Sequence, residues 1–113
     1  MDSVSNYATL IREGLNDYVA LSTRDPNPDY DVNRIYDDEH YNYVVQKLGW
    51  KKSKRINQTM LQVALRDGKI WIEEDWTEEG VATYFLEHGV PNDHIVLGFQ
   101  PPIMRPYTEF AVA

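Results

Sequence analysis

A chain of 113 residues fits one domain spanning 1–113, long enough to bury its own core and too short for two. Its 42% hydrophobic and 26% charged content excludes wholesale disorder, and the lack of cysteine excludes disulfides and thiolate metal sites, which points to a reducing, cytoplasmic setting. The net charge of −7 is unevenly placed: residues 1–66 carry nine acidic and nine basic side chains, whereas 67–113 carry nine acidic ones against only Lys69 and Arg105, a surface that repels phosphate and suits a basic protein.

The first residues, Met1-Asp2-Ser3-Val4-Ser5, lack the basic stretch and apolar run of a secretion signal, and no apolar run is long enough to span a membrane. Val4, Tyr7, Ile11, Leu15, Tyr18 and Val19 then trace one apolar stripe at helical period, which predicts a helix over about 3–22 with Asp2 or Ser3 as N-cap. Asp25-Pro26-Asn27-Pro28-Asp29 ends it, because each proline disfavours the helical region for the residue before it.

Strands follow. Val32 and Ile35 suggest a short one reaching Tyr36, with a turn at Asp37-Asp38-Glu39. Residues 40–50 are rich in β-forming types, including Tyr41, Tyr43, Val44, Val45 and Trp50, and residues 49–54 make the next connection. From Asn57 the chain alternates, with Thr59, Leu61, Val63 and Leu65 on one face and Gln58, Met60, Gln62 and Ala64 on the other. Asp67-Gly68 before Lys69-Ile70-Trp71-Ile72 is a hairpin signal, since a type I′ turn needs positive φ at both central residues.

A second helix is predicted from Thr77, with Glu78 and Glu79 at its positive end and Val81, Ala82, Phe85 and Leu86 inward. Gly89 suits the left-handed position that closes it, with Pro91 beyond. Ile95-Val96-Leu97 reads as extended, Pro101-Pro102 as a stiff turn, and Phe110 and Val112 as anchors of a docked tail. The predicted fold is α+β, a four-stranded antiparallel sheet with both helices packed on it, in the order α-β-β-β-β-α plus an extended tail.

The C-terminal part carries a resemblance. Asp67-Gly68-Lys69-Ile70-Trp71-Ile72, Thr77-Glu78, Gly89-Val90-Pro91, Ile95-Val96-Leu97-Gly98-Phe99, Gln100-Pro101-Pro102, Arg105, and Tyr107-Thr108-Glu109-Phe110-Ala111-Val112-Ala113 occur in the order seen in the XisI-like family. That family comprises the fdxN-element excision controlling factors of cyanobacteria. The resemblance implies an accessory, non-enzymatic role in programmed DNA excision and site-specific recombination, with an XisH-like companion protein and a site-specific recombinase as partners. It supplies no catalytic residues and no cofactor. Family members often carry His and Asp on the strand before the hairpin, where this chain has Gln62 and Ala64, and Gly80 stands where a better helix former is usual.

Three groups of residues invite a functional reading. Glu73, Glu74 and Asp75, then Glu78 and Glu79 around Trp76, form an acidic stretch that suits a basic protein partner. A metal-dependent nuclease gathers carboxylates from several elements, and these are consecutive, so a solvated strand end is the simpler reading of their chemistry. Trp71 and Trp76 are expected to pack at the sheet and the helix entry. Lys47, Lys51, Lys52, Lys54 and Arg55, with Trp50 among them, would make a nucleic-acid-binding hairpin, the alternative function. Asp37, Asp38, Glu39 and His40 read as a solvated turn rather than a cation site, and His40, His88 and His94 match no zinc spacing. No membrane association is expected, and self-association is left open.

Overall fold

The computed structural model describes residues 3–25 and 27–113, with side chains from Asn6 onward. The N-cap expected at Asp2 or Ser3, the place of Val4 in the apolar stripe and the conformation of Pro26 lie outside the described residues. Helix α1 (Ser3–Ser22) follows the predicted stripe: Ile11 and Leu15 are fully buried, and Tyr7, Tyr18 and Val19 pack against the same core. It ends where the hydroxyls of Ser22 and Thr23 donate to the carbonyls of Tyr18 and Val19, both at 2.7 Å.

The sheet has five strands in sequence order: β1 (Tyr30–Asp37), β2 (Asn42–Lys51), β3 (Lys54–Arg66), β4 (Lys69–Asp75) and β5 (Ile95–Leu97). The first three junctions are antiparallel, but β5 lies parallel to β4, with Ile70 opposite Ile95 and Ile72 opposite Leu97. The expected four-stranded antiparallel sheet is therefore a five-stranded mixed one. A chain that leaves β4 and returns through a helix re-enters the sheet in the same direction. The three-residue stretch Ile95–Leu97 was readable as extended, but it is too short for its pairing to show in a pattern. The Asp67-Gly68 turn forms as predicted, with φ of 53° and 74°.

Both helices cover one face, lined by Tyr43, Val45, Leu61, Val63, Leu65, Ile70 and Ile72. Alternation along β3 holds with one correction. Met60, assigned to the outer face, is only 7% exposed beside the fully buried Leu61. Leu61 pairs with Val45 and Thr59 with Gln46, so Met60 is an extra residue in the ladder, a β-bulge that turns two successive side chains inward. A second register shift leaves Glu73 unpaired between Ile72, opposite Val63, and Glu74, opposite Gln62.

Helix α2 (Val81–Glu87) starts four residues later than the predicted Thr77, because Gly80 takes φ 82° and residues 76–80 form a loop. Glu78 and Glu79 are thus loop residues and not a first helical turn. Val81 and Phe85 are its buried anchors, and Gly89 closes it at φ 87°, as expected. The tail is docked: the Ala111 N–H donates to the Ile95 carbonyl at 2.9 Å, Ala111 bridges to Val96, and Phe110 packs against the core. Val112, expected as a second anchor, is instead 54% exposed.

Tyr43 is fully buried, with its hydroxyl donating to Asp38 Oδ1 at 2.7 Å, and Asp38 also pairs with Arg12 of α1. Burial, reinforced by the Asp38 hydrogen bond, pushes the Tyr43 phenol from 10.0 up to about 12. A folded-state value above the unfolded one gives stability that is complete below pH ~10 and lost as pH rises toward ~12. The melting temperature should fall across that window, and Tyr43→Phe should flatten the fall. Tyr7, Tyr36 and Tyr84, also raised by burial, leave a residual slope.

Candidate functional site

The acidic stretch is sorted by the bulge at Glu73. Glu74 pairs with Gln62 on the open face, whereas Asp75 pairs with Leu61 and turns toward the helices. Asp75 is a structural cap: Oδ1 accepts the N–H of Thr77 at 2.8 Å and its hydroxyl at 2.6 Å, and Oδ2 accepts the N–H of Val81 at 2.7 Å. Glu73 pairs with Arg66 at 2.5 Å. Glu74 Oε2 accepts the indole N–H of Trp76 at 2.7 Å, while Glu78 and Glu79 face solvent. Of the six residues expected to bind protein, Glu73, Glu74, Asp75 and Trp76 line one cleft, Glu78 and Glu79 lie on the exposed loop beyond it, and their roles differ. Asp75 and Glu73 are committed to the fold, and Glu74, Glu78 and Glu79 present their charge outward.

Trp76 corrects the expectation that it packs. It is 61% exposed, and its main-chain N–H donates to the carbonyl of the bulged Met60 at 2.9 Å. Across from it stands Phe99, 47% exposed, whose N–H donates to the Ile72 carbonyl at 3.3 Å. Together with Glu73, Glu74 and Asp75 the two rings line one open cleft. Phe99 was visible in the sequence only as part of a motif, because the parallel return that places it beside Trp76 was not. Trp71, by contrast, does pack, with Arg66 at 4.4 Å and Arg105 at 5.3 Å from its ring.

The basic residues also gather, at the far tip of the β2–β3 hairpin. Lys51 lies directly opposite Lys54, Trp50 opposite Arg55, and Lys52 occupies the two-residue turn at φ 56°. Like charges opposed across strands cost stability, so the tip carries its lysines at some expense. Arg55 stacks on the 56%-exposed Trp50 at 5.1 Å, and Lys47 lies 4.6 Å from the Tyr30 ring. If this tip meets nucleic acid, binding should fall steeply with salt, as neutralised phosphates release counterions. Changing Lys51, Lys52, Lys54 and Arg55 to glutamine should abolish it. A gel shift at low salt that shows no complex with any duplex or single strand would refute the reading.

Residues 37–40 form the expected turn. Asp37 Oδ1 accepts the N–H groups of Glu39 and His40 at 3.0 and 3.1 Å, and Oδ2 meets His40 Nδ1 at 2.7 Å. The His40 side chain and N–H hold the Asp37 carboxyl below its ordinary value. Ligand atoms of Asp37, Glu39 and His40 lie within 4.8 Å of one another at the surface. The hydrogen bonds that shape the turn already account for this proximity. Among the described residues no helix is long and apolar enough to cross a membrane.

Comparison with known proteins supports the resemblance. The XisI protein family matches residues 1–112. The crystal structure of the fdxN element excision controlling factor XisI from Anabaena variabilis is 35% identical, with a TM-score of 0.90 over 99% of this chain and 100% of that one. A second crystal structure, of a XisI-like protein from the same organism, is 33% identical with a TM-score of 0.89, covering 97% of this chain and 99% of the other. No curated protein matches the sequence significantly. Agreement over nearly the full length of both chains, in sequence and in backbone, makes this protein a member of the XisI family.

Proposed function

We propose that this protein is a non-enzymatic accessory factor that acts by binding a protein partner, in the manner implied for XisI-like controlling factors of DNA-element excision. The partner would be an XisH-like companion, a site-specific recombinase, or both. The observation that carries the reading is the exposed Trp76, set among outward-facing carboxylates in a C-terminal part of strongly negative charge. An aromatic anchor ringed by charge provides buried contact area, while the surrounding field speeds encounter with a basic surface. The histidines give no contrary sign: His40 is engaged by Asp37, His88 by the Tyr84 carbonyl and His94 by the Tyr7 hydroxyl.

Capture of the neighbouring-gene product by the tagged protein tests this reading. The wild type should retain it, and the Glu74→Lys, Trp76→Ala double variant should retain at least tenfold less, a loss of about 1.4 kcal/mol or more. Asp75 is left in place because it holds α2. A folded wild type that retains no such partner refutes the reading. The second reading, a direct nucleic-acid binder using Lys47, Lys51, Lys52, Lys54 and Arg55, is favoured by the lysines opposed at the hairpin tip beside an exposed tryptophan.

A further inference from the structure

Trp76 and Phe99 come from segments on either side of α2, yet they flank one cleft. Each is fixed at its root by a main-chain bond to the sheet, Trp76 to Met60 and Phe99 to Ile72, and the Trp76 indole is also tied to Glu74. The backbone beneath both rings, and the Trp76 ring itself, are therefore held in place before anything binds, which lowers the entropy cost of binding.

The charges say what fits between them. Glu73 is matched by Arg66, and Asp75 is engaged by three donors of its own loop and helix start. Glu74 accepts one indole N–H, and a carboxylate has room for more donors. An apolar side chain in this cleft would strip water from carboxylates without replacing it, and an anion would be repelled. A planar cation lies flat on an indole face and donates paired N–H groups to a carboxylate; guanidinium does both, and ammonium does only part. The segment carrying Phe99 continues into Ile103, Met104 and Tyr107, exposed by 78%, 47% and 83%, which offers apolar contact to the chain bearing that cation.

We propose that the Trp76–Phe99 cleft seats an arginine side chain of the partner protein, carried on an extended basic segment. This rests on the partner-binding reading above and gives its contact a chemistry. An amidated tetra-arginine peptide is the probe, with the tetra-citrulline peptide, equal in shape but uncharged, as its control. In a proton–nitrogen correlation spectrum, tetra-arginine should shift the Trp76 indole N–H and the Phe99 amide saturably and leave the Trp50 and Trp71 indoles in place. Trp76→Ala and Phe99→Ala, each checked for an unchanged fold by circular dichroism, should weaken binding at least tenfold, and Glu74→Gln at least threefold.

Equal binding of the citrulline peptide overturns the proposal, as do shifts spread over Glu78, Glu79 and Glu87 that bypass Trp76. Self-association that the peptide reverses would assign the cleft to the basic hairpin of a second copy, and also overturns it. The partner itself separates the two readings. If Trp76→Ala abolishes peptide binding but leaves companion capture intact, the cleft assignment falls and partner binding stands. If the peptide binds as described and the wild type captures no companion, the chemistry of the cleft is upheld and the partner reading falls.

Discussion

Replacing Gly49 by alanine should lower the melting temperature by roughly 10 °C, near the upper end of the ~1–3 kcal/mol cost of forcing extra volume into a packed site. A Cβ at this position would stand 2.0 Å from the Asp29 carbonyl oxygen and 2.6 Å from Tyr30 Cα. Both are backbone atoms, so no side chain can swing aside. The Trp50 N–H donates to that same Asp29 carbonyl at 2.9 Å, and Gly49 pairs with Tyr30 at the start of β1. Relief can come only by parting β1 from β2. Calorimetry checks the size of the effect, and hydrogen exchange should show faster amides across Tyr30–Asp37. A melting temperature within about 2 °C of wild type would refute the close approach.

Arg105→Ala should cost about 2–4 kcal/mol and free the C-terminal segment, since hydrogen bonds from a charged donor contribute about 1.5–3 kcal/mol each and are not additive. Its guanidinium donates to the carbonyls of Gln100 at 3.1 Å, Gly98 at 3.3 Å and Val112 at 3.4 Å while resting on Trp71. One side chain thereby ties both ends of the segment 98–112 to β4. Lysine lacks the planar fork, so Arg105→Lys should rescue little. Limited proteolysis should cut the alanine variant after Phe99 at concentrations that leave the wild type whole. Equal resistance in both would show that Phe110 and Ala111 alone hold the tail.

Local patterns made much of this architecture legible. The α1 stripe, the Asp67-Gly68 turn and the left-handed Gly89 each depend on a few adjacent residues, and each stands where the sequence placed it. The misses are all products of distance. Nothing near Met60 announces a bulge, because the extra residue is defined by its partner on β2. The late start of α2 goes with the positive φ of Gly80 and with Asp75, six residues upstream, which accepts the Val81 N–H that a helix begun at Thr77 would have donated to the Thr77 carbonyl. The candidate site was half visible: residue types marked the acidic stretch and the basic hairpin. Which acids were already committed depended on Arg66 and on α2, and the role of Phe99 depended on β5.

The parallel seat of β5 has a consequence for the chain while it is being made. Strands β1 to β4 follow one another through tight turns and can zip together as they emerge. The outer edge of β4, bearing Ile70, Trp71 and Ile72, stays unpaired until Ile95–Leu97 has been synthesised and has come back around α2. During that interval a nascent chain offers its neighbours on the same messenger an apolar, open strand, a template for misjoining. The negative residues at 73–75 and 78–79, next to emerge, keep such edges apart by repulsion before the last strand closes them.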